Sequence, residues 1–159
     1  MKTLLLLRHG KAERYNEDSD RARALADRGV KDSRHMGRLI AHKIGDLDLI
    51  VASDAARASQ TARLVAEAAG YKSTISFRPE IYAASSRTLL DIVRELPKHD
   101  DVVLMVGHNP GMEELADDLA GPSDSALPTA GLIVITLPGP WSAADVDTGK
   151  RVATYGPGD

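Results

Sequence analysis

Four short runs of apolar residues, Thr3 to Leu7, Leu47 to Ala52, Val102 to Val106 and Leu132 to Leu137, are separated by segments whose apolar residues recur at helical spacing. A run that is apolar at nearly every position, rather than at every second one, suits a strand covered on both faces. A weaker strand candidate lies at Thr74 to Phe77. The helical segments place Gly29, Ser33, Met36, Ile40 and Ile44 on one stripe, then Ala58, Thr61, Ala62, Val65 and Ala69, then Leu89, Ile92, Val93 and Leu96, then Met112, Leu115, Ala116 and Leu119. Alternation of this kind predicts an α/β protein: a mostly parallel central sheet with helices on both faces, in three layers.

Turn chemistry marks the ends of these elements. Gly70 and Gly121 read as helix stops, and Asn109 followed by Pro110 reads as an N-cap with a first-turn proline. The stretch from Glu13 to Asp27 is polar and of mixed charge, so a long loop is expected after the first strand. A second loop is expected over Pro138 to Gly149, with Lys150 to Tyr155 returning as an edge strand. At 159 residues, with no internal repeat or linker, the chain is expected to form a single domain over residues 1–159.

A net charge of -3 with dispersed Lys and Arg offers no general attraction to nucleic acid or to an anionic membrane, so neither is expected as a partner. With no cysteine there is no disulfide, thiolate metal site or thiol nucleophile. The apolar run before Arg8 is too short for a signal-peptide core or a membrane span, and a cytoplasmic protein is expected.

Three strands run directly into residues with chemistry: the first into Arg8-His9-Gly10, the second into Ser53-Asp54-Ala55-Ala56-Arg57, and the run from Val102 into Gly107-His108-Asn109-Pro110-Gly111. The carboxyl ends of parallel strands form the ligand-binding edge of such a sheet, so two arginines and two histidines are expected to meet there. Arginine presents a planar fork of permanent donors suited to phosphoryl oxygens, which makes Arg8 and Arg57 a candidate clamp. An imidazole attacks phosphorus when one nitrogen is unprotonated and the other is fixed by a hydrogen bond, and His9 is the candidate nucleophile. Gly10 is expected to leave room for a substrate beside the ring, and the arginines to lower the His9 pKa by like-charge repulsion. His108 is expected to donate to a phosphoryl oxygen, with Asn109 and the helix start behind it adding substrate contacts. His35, His42 and His99 have no partner pattern and read as surface residues. Trp141 suits either loop packing or a partner contact.

Arg8-His9-Gly10, SDAARASQTA from Ser53 to Ala62, VGHNPGMEEL from Val106 to Leu115 and LPTAGL from Leu127 to Leu132 together resemble the histidine phosphatase superfamily. The last two motifs resemble its short branch, the SixA-type phosphohistidine phosphatases. The resemblance runs from Lys2 to about Leu137. It implies a phosphoglycerate mutase-like fold, with His9 as the nucleophile that becomes phosphorylated and Arg8, Arg57 and His108 as the phosphate pocket. It implies no metal and no cofactor.

The chain departs from the larger members of the superfamily where they place an acidic proton donor: Pro79-Glu80-Ile81-Tyr82-Ala83-Ala84 has alanines there, and Glu80 is only a remote candidate. Lys11 stands where the mutase branch usually has Glu, and Asp20-Arg21-Ala22-Arg23-Ala24-Leu25 matches the short branch only loosely. Three functions are carried forward. The first is hydrolysis of phosphohistidine on a protein, of the histidine phosphotransfer type and within signal transduction. The second is a phosphatase or mutase for small phosphate esters such as sugar phosphates or phosphoglycerate. The third is an inactive phosphate-binding or interaction module.

Overall fold

The four leucines Leu4 to Leu7 form the centre of β1 (Lys2–Arg8), whose side chains serve two cores at once. Successive strand residues point to opposite faces. Leu4 and Leu6 accordingly join one apolar cluster, and Leu5 and Leu7 join another on the far side. The computed structural model describes residues 1–159.

In chain order β1 is followed by α1 (Asp27–Lys43), β2 (Leu49–Ala52), α2 (Ala56–Ala69), β3 (Ile75–Phe77), α3 (Ser86–Arg94), β4 (Val102–Gly107), α4 (Gly111–Ala120), β5 (Leu132–Leu137) and β6 (Lys150–Tyr155). Single turns of 3₁₀ helix cover Pro79–Ile81 and Trp141–Ala143. The strands form one sheet in the order β3-β2-β4-β1-β5-β6. β3, β2, β4 and β1 are parallel, and β5 runs antiparallel to both β1 and β6. α3 and α4 cover the Leu4 and Leu6 face, and α1 and α2 cover the Leu5 and Leu7 face. The three-layer α/β/α architecture expected from the sequence is therefore the one observed.

Differences are local. The second strand begins at Leu49 rather than Leu47, the third spans only Ile75–Phe77, and β6 is a true edge strand paired with β5 alone. Gly70 ends α2 in the left-handed region at φ 74°, as its lack of a side chain allows. Asn109 is not the cap of α4: the helix starts at Gly111 after Pro110, and no side chain caps it. Trp141 packs into the core at 1% exposure and donates Nε1–H to the Asp100 carbonyl at 2.7 Å. His42 and His99 are exposed, but His35 is half-buried on α1. No helix is long and apolar enough to cross a membrane.

Parallel pairing fixes which loops share an edge. Arg8 sits opposite Gly107 and Ala52 opposite Val106, so the residues after β1, β2 and β4 leave the sheet side by side. Because β5 is antiparallel, it is the segment preceding it that reaches this edge, with Leu132 opposite Leu7.

Candidate active site

His9 is 8% exposed immediately beyond β1. Its Nδ1 lies 2.8 Å from the Gly10 carbonyl, an acceptor only, so Nδ1 carries the proton and donates it there. The lone pair of the neutral ring is then on Nε2. The His9 pKa is lowered from 6.5 to about 4, first by burial and then by Arg57, Arg8 and Arg23, against the opposing Gly10 hydrogen bond. The ring is thus neutral, and burial rather than the expected arginine repulsion is the leading cause.

His108, beyond β4, has its ring centroid 5.1 Å from that of His9. Its Nε2 is 2.8 Å from the Ser53 hydroxyl, and that oxygen accepts from the Ala55 N–H at 3.2 Å. The Ser53 O–H has no other hydrogen-bond acceptor, so its proton goes to His108 Nε2, which leaves the ring proton on Nδ1. His108 Nδ1 is buried and unpartnered. Burial, then His9 and Arg57, hold the His108 pKa down to about 3.

Each arginine is anchored through a backbone carbonyl. Arg8 donates Nη1–H to the Leu127 carbonyl at 3.0 Å. Arg57, in the first turn of α2, donates Nη1–H to the Asp20 carbonyl at 2.9 Å and Nη2–H to Asp20 Oδ2 at 3.1 Å. The Nε–H groups of both guanidiniums are buried without a protein partner. Arg8, Arg57, His9 and His108 therefore do come together, as the strand ends predicted.

Gly10 and Asn109 are used differently from the sequence expectation. The Gly10 N–H donates to Thr61 Oγ1 at 3.0 Å, and a Cβ at this position would stand 2.8 Å from the Gly29 carbonyl. The glycine is there for close approach of α1, and its N–H is already engaged. Asn109 Nδ2 donates to Glu113 Oε1 at 2.9 Å and to the Leu127 carbonyl at 3.1 Å. Flipping the amide would set oxygen against both acceptors, so this orientation stands. What remains is Oδ1, an acceptor, which cannot hydrogen-bond an unprotonated phosphoryl oxygen.

Sequence reasoning missed four participants. Asp20, in the loop between β1 and α1, accepts from Tyr82 Oη at 2.6 Å and Arg57 Nη2 at 3.1 Å on Oδ2, and from Arg23 Nε at 2.9 Å on Oδ1. The Tyr82 hydrogen bond is the first cause holding the Asp20 pKa to about 2. Tyr82 also stands edge-on to His108 with centroids 5.5 Å apart, and Arg21, paired with Asp54, lies 4.7 Å over its ring. The other two are Ser53 and Glu113. Ser53 and Glu113 lie in motifs legible in the sequence, though their contacts are not, and for Asp20 and Tyr82 only the spacing of three between Asp20 and Arg23 hints at the arrangement. Glu80 is exposed and paired with Arg78 at 2.8 Å, and Lys11 is exposed.

The two depressed imidazoles make acid sensitivity a property of the site. In the unfolded chain both rings titrate near 6.5, so between pH 6.5 and 4 the unfolded state binds more protons than the folded one. The contribution to stability is full above pH 6.5 and is lost as pH falls toward the folded values, on the order of a few kcal/mol by pH 4. Urea midpoints at pH 7 and pH 4.5 should differ less for His9→Ala/His108→Ala than for the wild type. Equal shifts in the two proteins would show that other groups carry the acid sensitivity.

A family model of the histidine phosphatase superfamily (branch 1) matches residues 4–81, which include most of β1, His9, Asp20 and Arg57. The chain belongs to this superfamily. An uncharacterised Mycobacterium tuberculosis protein is 28% identical over 153 residues, covering 90% of this chain and 93% of that protein. The structure of a candidate phosphohistidine phosphatase SixA from Agrobacterium tumefaciens is 28% identical and covers 97% of each chain at a TM-score of 0.82. The protein histidine phosphatase SixA, solved with tungstate, shares the fold at 22% identity and a TM-score of 0.86, over 98% of this chain and 97% of its own. This superfamily member thus has the phosphoglycerate mutase-like fold that the motifs implied.

Proposed function

We propose that this protein is a phosphatase that removes the phosphoryl group from phosphohistidine on a protein, through a covalent phosphohistidine formed on His9. One observation carries this reading: Arg8 Nε, Arg57 Nε and His108 Nδ1 are buried donors with no protein partner, in the company of a neutral His9. Unsatisfied buried donors are costly, and a group with three charged oxygens offers an acceptor to each of them.

In this reading His9 Nε2 attacks phosphorus, the P–N bond to the substrate imidazole breaks, and the released nitrogen takes up a proton from solvent. Water then attacks the phosphorus on His9, the second P–N bond breaks, and phosphate departs while the proton from water passes to solvent. The arginines and His108 hold the equatorial oxygens, where charge spreads as phosphorus passes between nucleophile and leaving group. Asp20, ionised at neutral pH, has no proton to give a leaving group. The names borne by the two SixA structures agree with this substrate class.

Trapping tests the reading. Brief incubation with an activated aryl phosphate followed by rapid quenching should leave phosphate on the peptide containing His9, labile in acid and stable in base as a P–N bond is. A base-labile label, or a label on another residue, would replace the mechanism.

A further inference from the structure

Two of the sequence motifs, VGHNPGMEEL and LPTAGL, have so far contributed only His108 and the anchor for Arg8. They meet at Glu113, in the first turn of α4. Its Oε1 accepts from Asn109 Nδ2 at 2.9 Å and from the Leu127 backbone N–H at 2.5 Å. The Leu127 carbonyl in turn accepts from Asn109 Nδ2 at 3.1 Å and from Arg8 Nη1 at 3.0 Å. Both backbone polar groups of Leu127 are therefore committed between Glu113 on one side and Arg8 on the other. The same segment also grips the catalytic dipeptide by its backbone. The Ala130 N–H donates to the carbonyls of Arg8 and His9 at 3.1 and 3.0 Å, and the Arg8 N–H donates to the Gly131 carbonyl at 3.0 Å.

The two arginines are compensated in different ways. Arg57 carries a carboxylate directly on Nη2, whereas the side-chain hydrogen bond of Arg8 goes to a neutral carbonyl. Burial disfavours the charge on Arg8, and Glu113 is the group that offsets it. A carboxylate placed on the guanidinium itself would occupy donors and cancel charge that a phosphoryl group needs; one held a single residue away orients the fork and leaves Nε free.

We propose that Glu113 is a positioning residue of the active site: through Leu127 and Asn109 it fixes the Arg8 guanidinium and serves as its counter-ion at one remove. This rests on the reading of Arg8 as a phosphoryl clamp. The competing account is that Glu113 only ties α4 to the segment before β5 and so contributes stability alone.

A double-mutant cycle with Arg8→Ala separates the two, because groups acting through one another are non-additive. The readouts are tungstate affinity by calorimetry, kcat and KM on an aryl phosphate, and the thermal midpoint. Glu113→Ala should lower kcat on the order of a hundredfold, the scale of a misplacement of about 1 Å in a catalytic group, and should weaken tungstate binding. Glu113→Gln keeps an acceptor oxygen and loses the charge, so it should fall between Glu113→Ala and the wild type. In the Arg8→Ala background, Glu113→Ala should change tungstate affinity and kcat by less than about twofold, well inside the non-additivity of coupled groups, while still lowering the thermal midpoint. A full additional loss in that background, or unchanged tungstate affinity and kcat in Glu113→Ala alone, would overturn the proposal. Should Glu113→Ala not fold, the cycle is run with Glu113→Gln. If the wild type hydrolyses no phosphate compound, the phosphatase reading fails, and the tungstate cycle still decides the relay.

Discussion

His9→Ala should reduce turnover by about 10⁴-fold or more, the loss typical when a covalent nucleophile is removed and only binding and electrostatic stabilisation remain. The fold should survive. The ring packs beside His108, and the one hydrogen bond it gives up is to the adjacent Gly10 carbonyl. Its removal also deletes a group that is costly to protonate when folded. Tungstate affinity should persist, since Arg8, Arg57 and His108 keep their free donors. Single-turnover kinetics beside calorimetry on the same preparation checks both expectations. Near wild-type kcat in a folded His9→Ala would remove His9 from the chemistry, and unfolding would show that its packing matters more than its partners suggest.

The second large effect concerns the leaving group. Expelling an alkoxide requires a proton at the departing oxygen, and an enzyme lacking a placed acid forgoes on the order of 10² to 10⁴ in rate. Glu80 is exposed and engaged by Arg78. Asp20 is close to the pocket through Arg57 and Tyr82, but these contacts hold it as a carboxylate at neutral pH. An imidazole leaving from phosphorus takes its proton from solvent with little help. The expected order of kcat/KM is phosphohistidine, then activated aryl phosphates, then alkyl phosphates such as phosphoserine or phosphoglycerate, with a span of at least about a hundredfold on the same argument. Measuring the three leaving-group types under one condition settles the order. Phosphoglycerate or a sugar phosphate as the best substrate would mean that an acid reaches the leaving oxygen, and the small-ester function would stand in place of the one proposed.

Asp20 also shows where reading the sequence stops. Its carboxylate is held by three groups, Tyr82, Arg57 and Arg23, that lie 62, 37 and 3 residues away. Only the last of these is visible as a spacing. Glu113 is similar: it belongs to a motif legible in the sequence, but its partner Leu127 is brought to it by the antiparallel return of β5. No local pattern separates that strand from its parallel neighbours, because buried apolar runs look alike in either direction.

What the sequence determined by itself was the layered α/β architecture, through apolar runs that only a doubly covered strand can bury, and the delivery of Arg8, His9, Arg57 and His108 to one edge, through their positions just after strands. Period and position along the chain carry that information, and both are local. The tertiary structure alone decided the protonation pattern of the two histidines, the engagement of the Gly10 N–H and the Asn109 amide, and the holding of the arginines by Asp20 and Leu127. Those depend on burial and on hydrogen bonds between segments far apart in sequence. A side chain's charge state and free donors follow from what surrounds it in space rather than from its neighbours along the chain.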